Sequence, residues 1–290
     1  AGAGLLGYPD VTGAAEPPPE TTKVSIPQIP DVCTGTPLIV AGELLKSEGF
    51  ADVRYVKKET GVQAYKAVAS GELDVTITAA PSIIRQVDSG DPFVILAGAH
   101  VGCFELFGTD RVRSLRDLKD RSVSVGVLGG GRHVFLAAMV AHVGLDPSRE
   151  INWITKPMAE SMRLFAEGKI DAFMGFPPEP QELRAKKIGH VVVNATTDKP
   201  WSQYFCCVVV ANREFVRKHP IATKRTLRAI VKAIGVCAVE PDRAVRLRAD
   251  RGYTRGYDYA LQTMKELPYG RWREYNPEDT IRFYALRLHE

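Results

Sequence analysis

From Lys23 onward, short apolar runs alternate with amphipathic stretches, a pattern that predicts strands alternating with helices in an α/β architecture with largely parallel strands. Strands are expected over 23–26, 53–56, 73–78 and 93–97. Between them lie a helix opened by Thr36-Pro37 and stopped by Gly49, a helix over 62–70, and one running from Pro81 to about Gly90. A second round starts at Ser114-Leu115-Arg116-Asp117, where Ser and Asp stand at capping-box spacing. It continues with a strand over 122–127, the Gly129-Gly130-Gly131 loop, a helix over 132–143 stopped by Gly144, a strand over 151–154, a helix over 159–166 and a strand over 170–175.

Gly71-Glu72-Leu73-Asp74-Val75 and Gly168-Lys169-Ile170-Asp171-Ala172 echo each other, each after an amphipathic helix. The echo suggests two lobes of similar build, with Asp74 and Asp171 in equivalent structural positions. Beyond Val210 the pattern becomes helical, with apolar residues at Leu227, Ile230, Val231 and Ile234. The expected division is a flexible Pro-rich leader over 1–22, a first lobe from 23–102 plus 205–290, and a second lobe over 103–204. Crossovers at 100–106 and 201–206 would serve as hinges, and the late helices would pack on the first lobe. Residues 1–7 read like the tail of an apolar export segment, and the uncapped last helix over 277–290 reads as a cut end.

At 290 residues and 45% hydrophobic, the chain can bury two modest cores. The 38 Lys and Arg against 34 Asp and Glu are spread without dense basic blocks, which argues against a nucleic-acid partner. No apolar run reaches the length of a membrane span. Cys33, Cys103, Cys206, Cys207 and Cys237 form no C-x-x-C pair and have no histidine at zinc-finger spacing, so neither a metal site nor a cofactor is expected. Buried thiols are the expected state, and an odd count leaves at least one unpaired if a disulfide forms. Nucleophile-elbow, zincin and Walker-type motifs are absent from the sequence.

Several stretches resemble the nitrate/sulfonate/taurine/bicarbonate class of ABC-transporter substrate-binding proteins. They are the Gly71–Val75 motif with Ala80-Pro81 and Gly90, the Ser114–Lys119 motif, the Gly129–Gly131 loop with His133 and then Gly144-Leu145-Asp146, and Gly168–Ala172 with Phe176-Pro177-Pro178. The chain departs from that class at Pro27-Gln28-Ile29-Pro30 and Cys33, where a more open, Gly-rich loop is usual. The resemblance implies a type II periplasmic-binding-protein architecture, with a ligand cleft between two α/β lobes. It implies a non-enzymatic, monomeric solute-binding subunit, periplasmic or exported and membrane-tethered, that captures a small anionic ligand, organic or inorganic, and passes it to an ABC permease. The alternatives are an enzyme on the same fold, pyrimidine-synthase-like or chorismate-processing-like, and a ligand-sensing domain of a larger regulator.

A cleft beyond the strand ends nominates Gln28, Cys33, Thr34, Thr78, Ala79, His100, Gly131, Arg132, His133, Phe176, Glu179 and Tyr204 as ligand-binding residues. The glycine loop offers backbone N–H groups at a helix start, and Arg132 offers a fork for an anion; a solvated surface role competes with the latter. His133 is either a hydrogen-bond donor or a structural helix-start residue. Phe176 and Tyr204 could stack on a ligand or fill core, and Glu179 could contact ligand or favour a helix N-terminus.

Overall fold

The structure, a computed structural model, describes residues 16–253 and 256–289. The first part of the chain runs β1 (Lys23–Gln28), α1 (Val32–Ser47), β2 (Asp52–Lys57), α2 (Gly61–Ala69), β3 (Val75–Ala79), α3 (Ala80–Asp88) and β4 (Phe93–Val101). The middle part runs β5 (Glu105–Gly108), β6 (Arg121–Ser124), α4 (Gly131–His142), β7 (Ile151–Ile154), α5 (Met158–Ala166), β8 (Ala172–Gly175), α6 (Glu179–Lys186) and β9 (His190–Asn194). The chain then returns through β10 (Phe205–Asn212) and ends in α7 (Arg213–Lys218), α8 (Pro220–Val239), α9 (Pro241–Asp250), α10 (Tyr257–Glu266) and α11 (Pro277–His289).

The middle part builds its own five-stranded sheet, ordered β7-β6-β8-β5-β9. The outer parts of the chain form a parallel β1–β2 pair and a β3-β10-β4 sheet. Parallel pairing holds for β1–β2, β6–β7 and β6–β8. The strands that cross between the two bodies correct the expectation of a largely parallel fold. β5 runs antiparallel to β8 and β9, and β10 runs antiparallel to β3 and β4. A chain that leaves one sheet directly into another, and later comes straight back, has no helical crossover to reverse it, so these strands enter against their neighbours.

The sequence echo has a common physical basis. Ser25 N–H donates to Asp74 Oδ2 at 2.7 Å and Asp74 N–H returns a bond to Ser25 O at 3.0 Å. Ser122 N–H donates to Asp171 Oδ2 at 2.9 Å and Asp171 N–H returns one to Ser122 O at 3.0 Å. In each case a glycine with positive φ, Gly71 or Gly168, stops the helix that comes before. Each aspartate therefore pins the start of one strand to its neighbour, a structural role in both bodies.

Two boundaries differ instructively. α1 begins at Val32, four residues before the expected Thr36-Pro37 start, so Pro37 lies inside the helix. Proline has no N–H to give the Cys33 carbonyl, and the Tyr269 hydroxyl donates to that carbonyl instead, at 2.7 Å. The tail of the expected leader is also tied down. Glu20 accepts from Ile221 and Ala222 N–H at 2.9 Å each, capping the start of α8, and Glu16 pairs with Arg228 at 2.6 Å and Lys224 at 3.0 Å. Residues 1–15 of that leader, with the apolar opening segment, lie outside the described residues, as does Glu290 at the chain end.

α8 buries Ala222, Thr226, Ala229, Ile230, Ala233, Ile234 and Cys237 against α1, a small-residue face that includes Ile230 and Ile234 but leaves Leu227 and Val231 only partly buried. The late helices do not rest on the first part alone: α11 packs on both α3 and α4, and α10 on α6. Arg184 of α6 pairs with Glu105 and, at 2.5 Å, with Glu266 of α10.

Gly98 of β4 is fixed by close approach, because a Cβ there would meet the Phe205 ring of β10 at 2.1 Å. Gly98→Ala should therefore force Phe205 from its place and destabilise the chain by about 1–3 kcal/mol, read as a lower urea midpoint with the slope unchanged.

Candidate functional site

β1, β3, β6 and β8 all end on one cavity of about 440 Å3, and the turns that follow them supply its walls. From one side come Asp31 and Thr34 at the start of α1, Thr60 to Val62 at the start of α2, Tyr65, Thr78 and Ala79. From the other come Phe104, Val125 to Val127, Gly130 to Arg132 at the start of α4, Lys156 to Met158 at the start of α5, and Phe176 to Glu179 at the start of α6. Five helices thus aim their N-termini at one space, each with unpaired backbone N–H groups and a partial positive charge.

Of these helices, α1, α4, α5 and α6 begin with no side-chain cap. Gly130 and Pro157 cannot supply a side-chain oxygen, and Asp31, well suited to capping, makes no such bond. Only α2 is capped, by Thr60 Oγ1 accepting from Gln63 N–H at 3.2 Å. Two further polar atoms facing this region, Thr34 Oγ1 and Arg132 Nε, are buried with no hydrogen-bond partner.

Arg132 Nη2 donates to both carboxylate oxygens of Glu179 at 2.9 Å, and Glu179 Oε2 also accepts from Phe176 N–H at 3.0 Å. The guanidinium lies 5.4 Å from the centroid of the Phe176 ring. The expected free fork at Arg132 is therefore half used, leaving Nε for another partner. Lys156 is likewise engaged, 2.7 Å from Glu160. Burial pushes the Asp31 carboxyl up to about 6; nearby Arg132 and Arg248 pull it down, while Glu179 opposes them.

Seven of the nominated residues line the cavity: Thr34, Thr78, Ala79, Gly131, Arg132, Phe176 and Glu179. Five do not. Gln28 turns outward and donates to the Arg251 carbonyl at 3.2 Å. Tyr204 stacks face to face on Phe283 of α11 at 3.9 Å, so it is packing. His133 accepts from Gly129 N–H through Nδ1 at 3.1 Å and meets Trp153 edge-on; burial and then nearby Arg85 lower its pKa, so a neutral ring pins the glycine loop from behind. Cys33 and His100 lie in the core with Cys103 and Cys207, where one ligand atom from each residue lies within 4.8 Å of every other. The expectation of no metal-type cluster came from local spacing, and these four residues come from three separate stretches, with only His100 and Cys103 near each other in sequence. Sequence reading also passed over Asp31, Tyr65, Phe104 and Lys156. Asp31 was within reach of it, since it stands where α1 begins once Pro37 is allowed inside the helix.

A cleft at the carboxyl ends of strands from two α/β bodies joined by two crossovers defines the type II periplasmic-binding-protein fold. A protein of Bordetella bronchiseptica RB50 shares it with a TM-score of 0.74 at 20% identity, over 93% of this chain and 90% of its own. So do the aliphatic sulphonate-binding protein SsuA of Escherichia coli (TM-score 0.69, 17% identity, 86% of this chain, 80% of its own) and the nitrate-binding protein NrtA of Synechocystis PCC 6803 (0.66, 18%, 86%, 71%). The chain belongs to the NMT1-like family, whose model matches residues 17–248. It is also 30% identical to the bicarbonate-binding protein CmpA of Synechococcus elongatus over 101 residues, which are 35% of this chain; the match spans 22% of that relative's length. No helix among the described residues is long and apolar enough to cross a membrane.

The raised Asp31 pKa carries a stability signature. The folded state holds this proton to about pH 6, whereas the unfolded chain releases it near pH 4, so stability falls as pH rises between the two. Asp31→Asn removes that fall. Urea denaturation should find the variant more stable than the parent by about 1–3 kcal/mol at pH 7.5 and nearly equal to it at pH 4.

Proposed function

We propose that this chain is the solute-binding component of an ABC-type importer, acting by closure of two lobes, 23–102 with 205–290 and 103–204, on a small ligand. The observation that carries the reading is the convergence of uncapped helix starts from both bodies on one cavity, since those N–H groups need acceptors that a ligand brings. Closure follows because a ligand touching both walls stabilises the closed arrangement over the open one. Delivery to a membrane permease, as a monomer working outside the cytoplasm, extends the same reading.

The ligand is organic, with an anionic or strongly accepting head group. The head group sits at the start of α4, reached by Arg132 Nε, and its body lies along Tyr65, Phe104 and Phe176. A cavity of about 440 Å3 with aromatic walls has room for an organic body. Asp31 and Glu179 take donor groups on the same molecule. Binding without catalysis fits the engagement of the wall's polar groups: Thr60 caps α2, Lys156 is held by Glu160, and Glu179 is held by Arg132 and the Phe176 N–H.

A thermal-shift panel of organic acids, organic cations and inorganic anions tests this. One organic-acid class should stabilise the chain by about 2.7 kcal/mol at a hundredfold excess over its dissociation constant, with little response to nitrate or bicarbonate. Arg132→Ala should weaken that ligand at least tenfold. Stabilisation by inorganic anions alone, or an unchanged affinity in the variant, would sink the assignment.

A further inference from the structure

Behind the cleft, the two crossovers meet the start of α1 in a pocket of sulfur and nitrogen. Cys33 comes from the first turn of α1, His100 from β4, Cys103 from the link between β4 and β5, and Cys207 from β10. All four are buried, at 3% exposure or less. We propose that Cys33, His100, Cys103 and Cys207 form a closed, four-ligand site for zinc(II).

Three independent observations carry this. The first is spacing: tetrahedral zinc with bonds of about 2.3 Å to sulfur holds its ligand atoms roughly 3.5–3.8 Å apart. Here one ligand atom from each residue lies within 4.8 Å of every other, so small side-chain movements close the shell. The second is the histidine. Its Nδ1 lies 3.2 Å from the Val101 carbonyl, which can only accept, so Nδ1 carries the proton. That leaves the Nε2 lone pair, buried and without a hydrogen-bond partner. A ring nitrogen fixed by a backbone carbonyl with the other free is the arrangement of a metal-bound histidine. The third is backbone strain. Cys103 has a φ of 104°, a region that non-glycine residues rarely enter, and the fold holds it there beside the cluster.

Zinc chemistry suits the donor set. Three thiolates and one imidazole favour a borderline-soft d10 ion in a tetrahedral shell, and four protein ligands leave no open position, so the site is structural. On binding, the dication displaces three thiol protons to solvent, His100 stays neutral, and no electron moves. Cys103 also lines a second cavity of about 320 Å3, together with Glu105, Arg184 and Glu266. A bound ion would tie both crossovers to the turn that carries Asp31 and Thr34, and so set the resting position of one cleft wall. The assignment does not depend on which ligand the cleft takes.

The competing state is a disulfide, because Cys103 Sγ lies 2.8 Å from Cys206 Sγ and oxidation there would withdraw a ligand. The test uses the whole chain, reduced, freed of metal with a chelator and titrated with cobalt chloride, then zinc chloride. One cobalt per chain should bind with a thiolate-to-cobalt charge-transfer band and tetrahedral d–d absorption, and one equivalent of zinc should bleach both. Cys207→Ser and His100→Ala should each lower zinc affinity more than about a hundredfold, since even outer-shell partners are worth roughly ten- to a hundredfold. Cys237→Ser, a buried thiol of α8 outside the cluster, should leave it unchanged. If the variants fail to fold, the cobalt spectrum of the parent chain decides. A spectrum without the thiolate band overturns the site, as does equal damage from Cys237→Ser, or a Cys103–Cys206 disulfide in chain isolated from zinc-replete medium without reductant.

Discussion

A helix that starts without a side-chain cap leaves backbone N–H groups in need of acceptors, and α1, α4, α5 and α6 all start this way around one cavity. Leaving them so next to a buried space is unfavourable unless something else supplies the oxygen atoms. The residues at these starts keep the need alive: Gly130 and Pro157 have no side-chain oxygen, and Asp31 leaves its own unused. The orphaned Thr34 Oγ1 and Arg132 Nε face the same region. Much of the fold can be understood as scaffolding that brings these unsatisfied groups together from both bodies.

That scaffolding depends on the crossovers. β10 lies between β3 and β4 and is fully buried, so the returning chain is held on both edges. Phe205 fills the space that Gly98 leaves, and its backbone N–H donates to Thr280 of α11 at 3.1 Å. α11 in turn packs on α3 and α4, and the Arg184 cluster joins α6 to α10. The two bodies therefore touch through packed helices and ion pairs as well as through the crossovers, and the proposed closure of the cleft has to work around these contacts. The Cys–His pocket lies at the same junction, where a bound ion would stiffen it further.

Local signals were legible in the sequence, and signals created by tertiary contact were not. Gly49, Gly90 and Gly144 marked helix ends because positive φ favours glycine, and the Ser114–Asp117 capping box forms as its spacing implies. The echo around Asp74 and Asp171 was readable because both aspartates do the same local job. Pro37 misled, since proline normally opens a helix and here sits inside one that Tyr269 repairs from 236 residues away. β5, at four residues, is too short to carry a pattern of its own, whereas the Val191-Val192-Val193 run of β9 was a strand signal that the reading passed over. Position beyond a strand pointed to Thr34, Thr78, Arg132 and Glu179, all of which line the cavity. It could not tell Tyr204, which stacks on Phe283, from a residue facing a ligand, because the difference is made by α11.

The central claim is capture of a small molecule without chemical change. Its most direct test is to incubate the purified chain with a cellular metabolite extract, isolate the protein by gel filtration, denature it and identify what is released by mass spectrometry. The account predicts one organic compound, enriched to about one per chain and identical in mass to a component of the extract. Recovery of a compound the extract never contained, formed in proportion to incubation time, would contradict it and point to an enzyme in the same cleft.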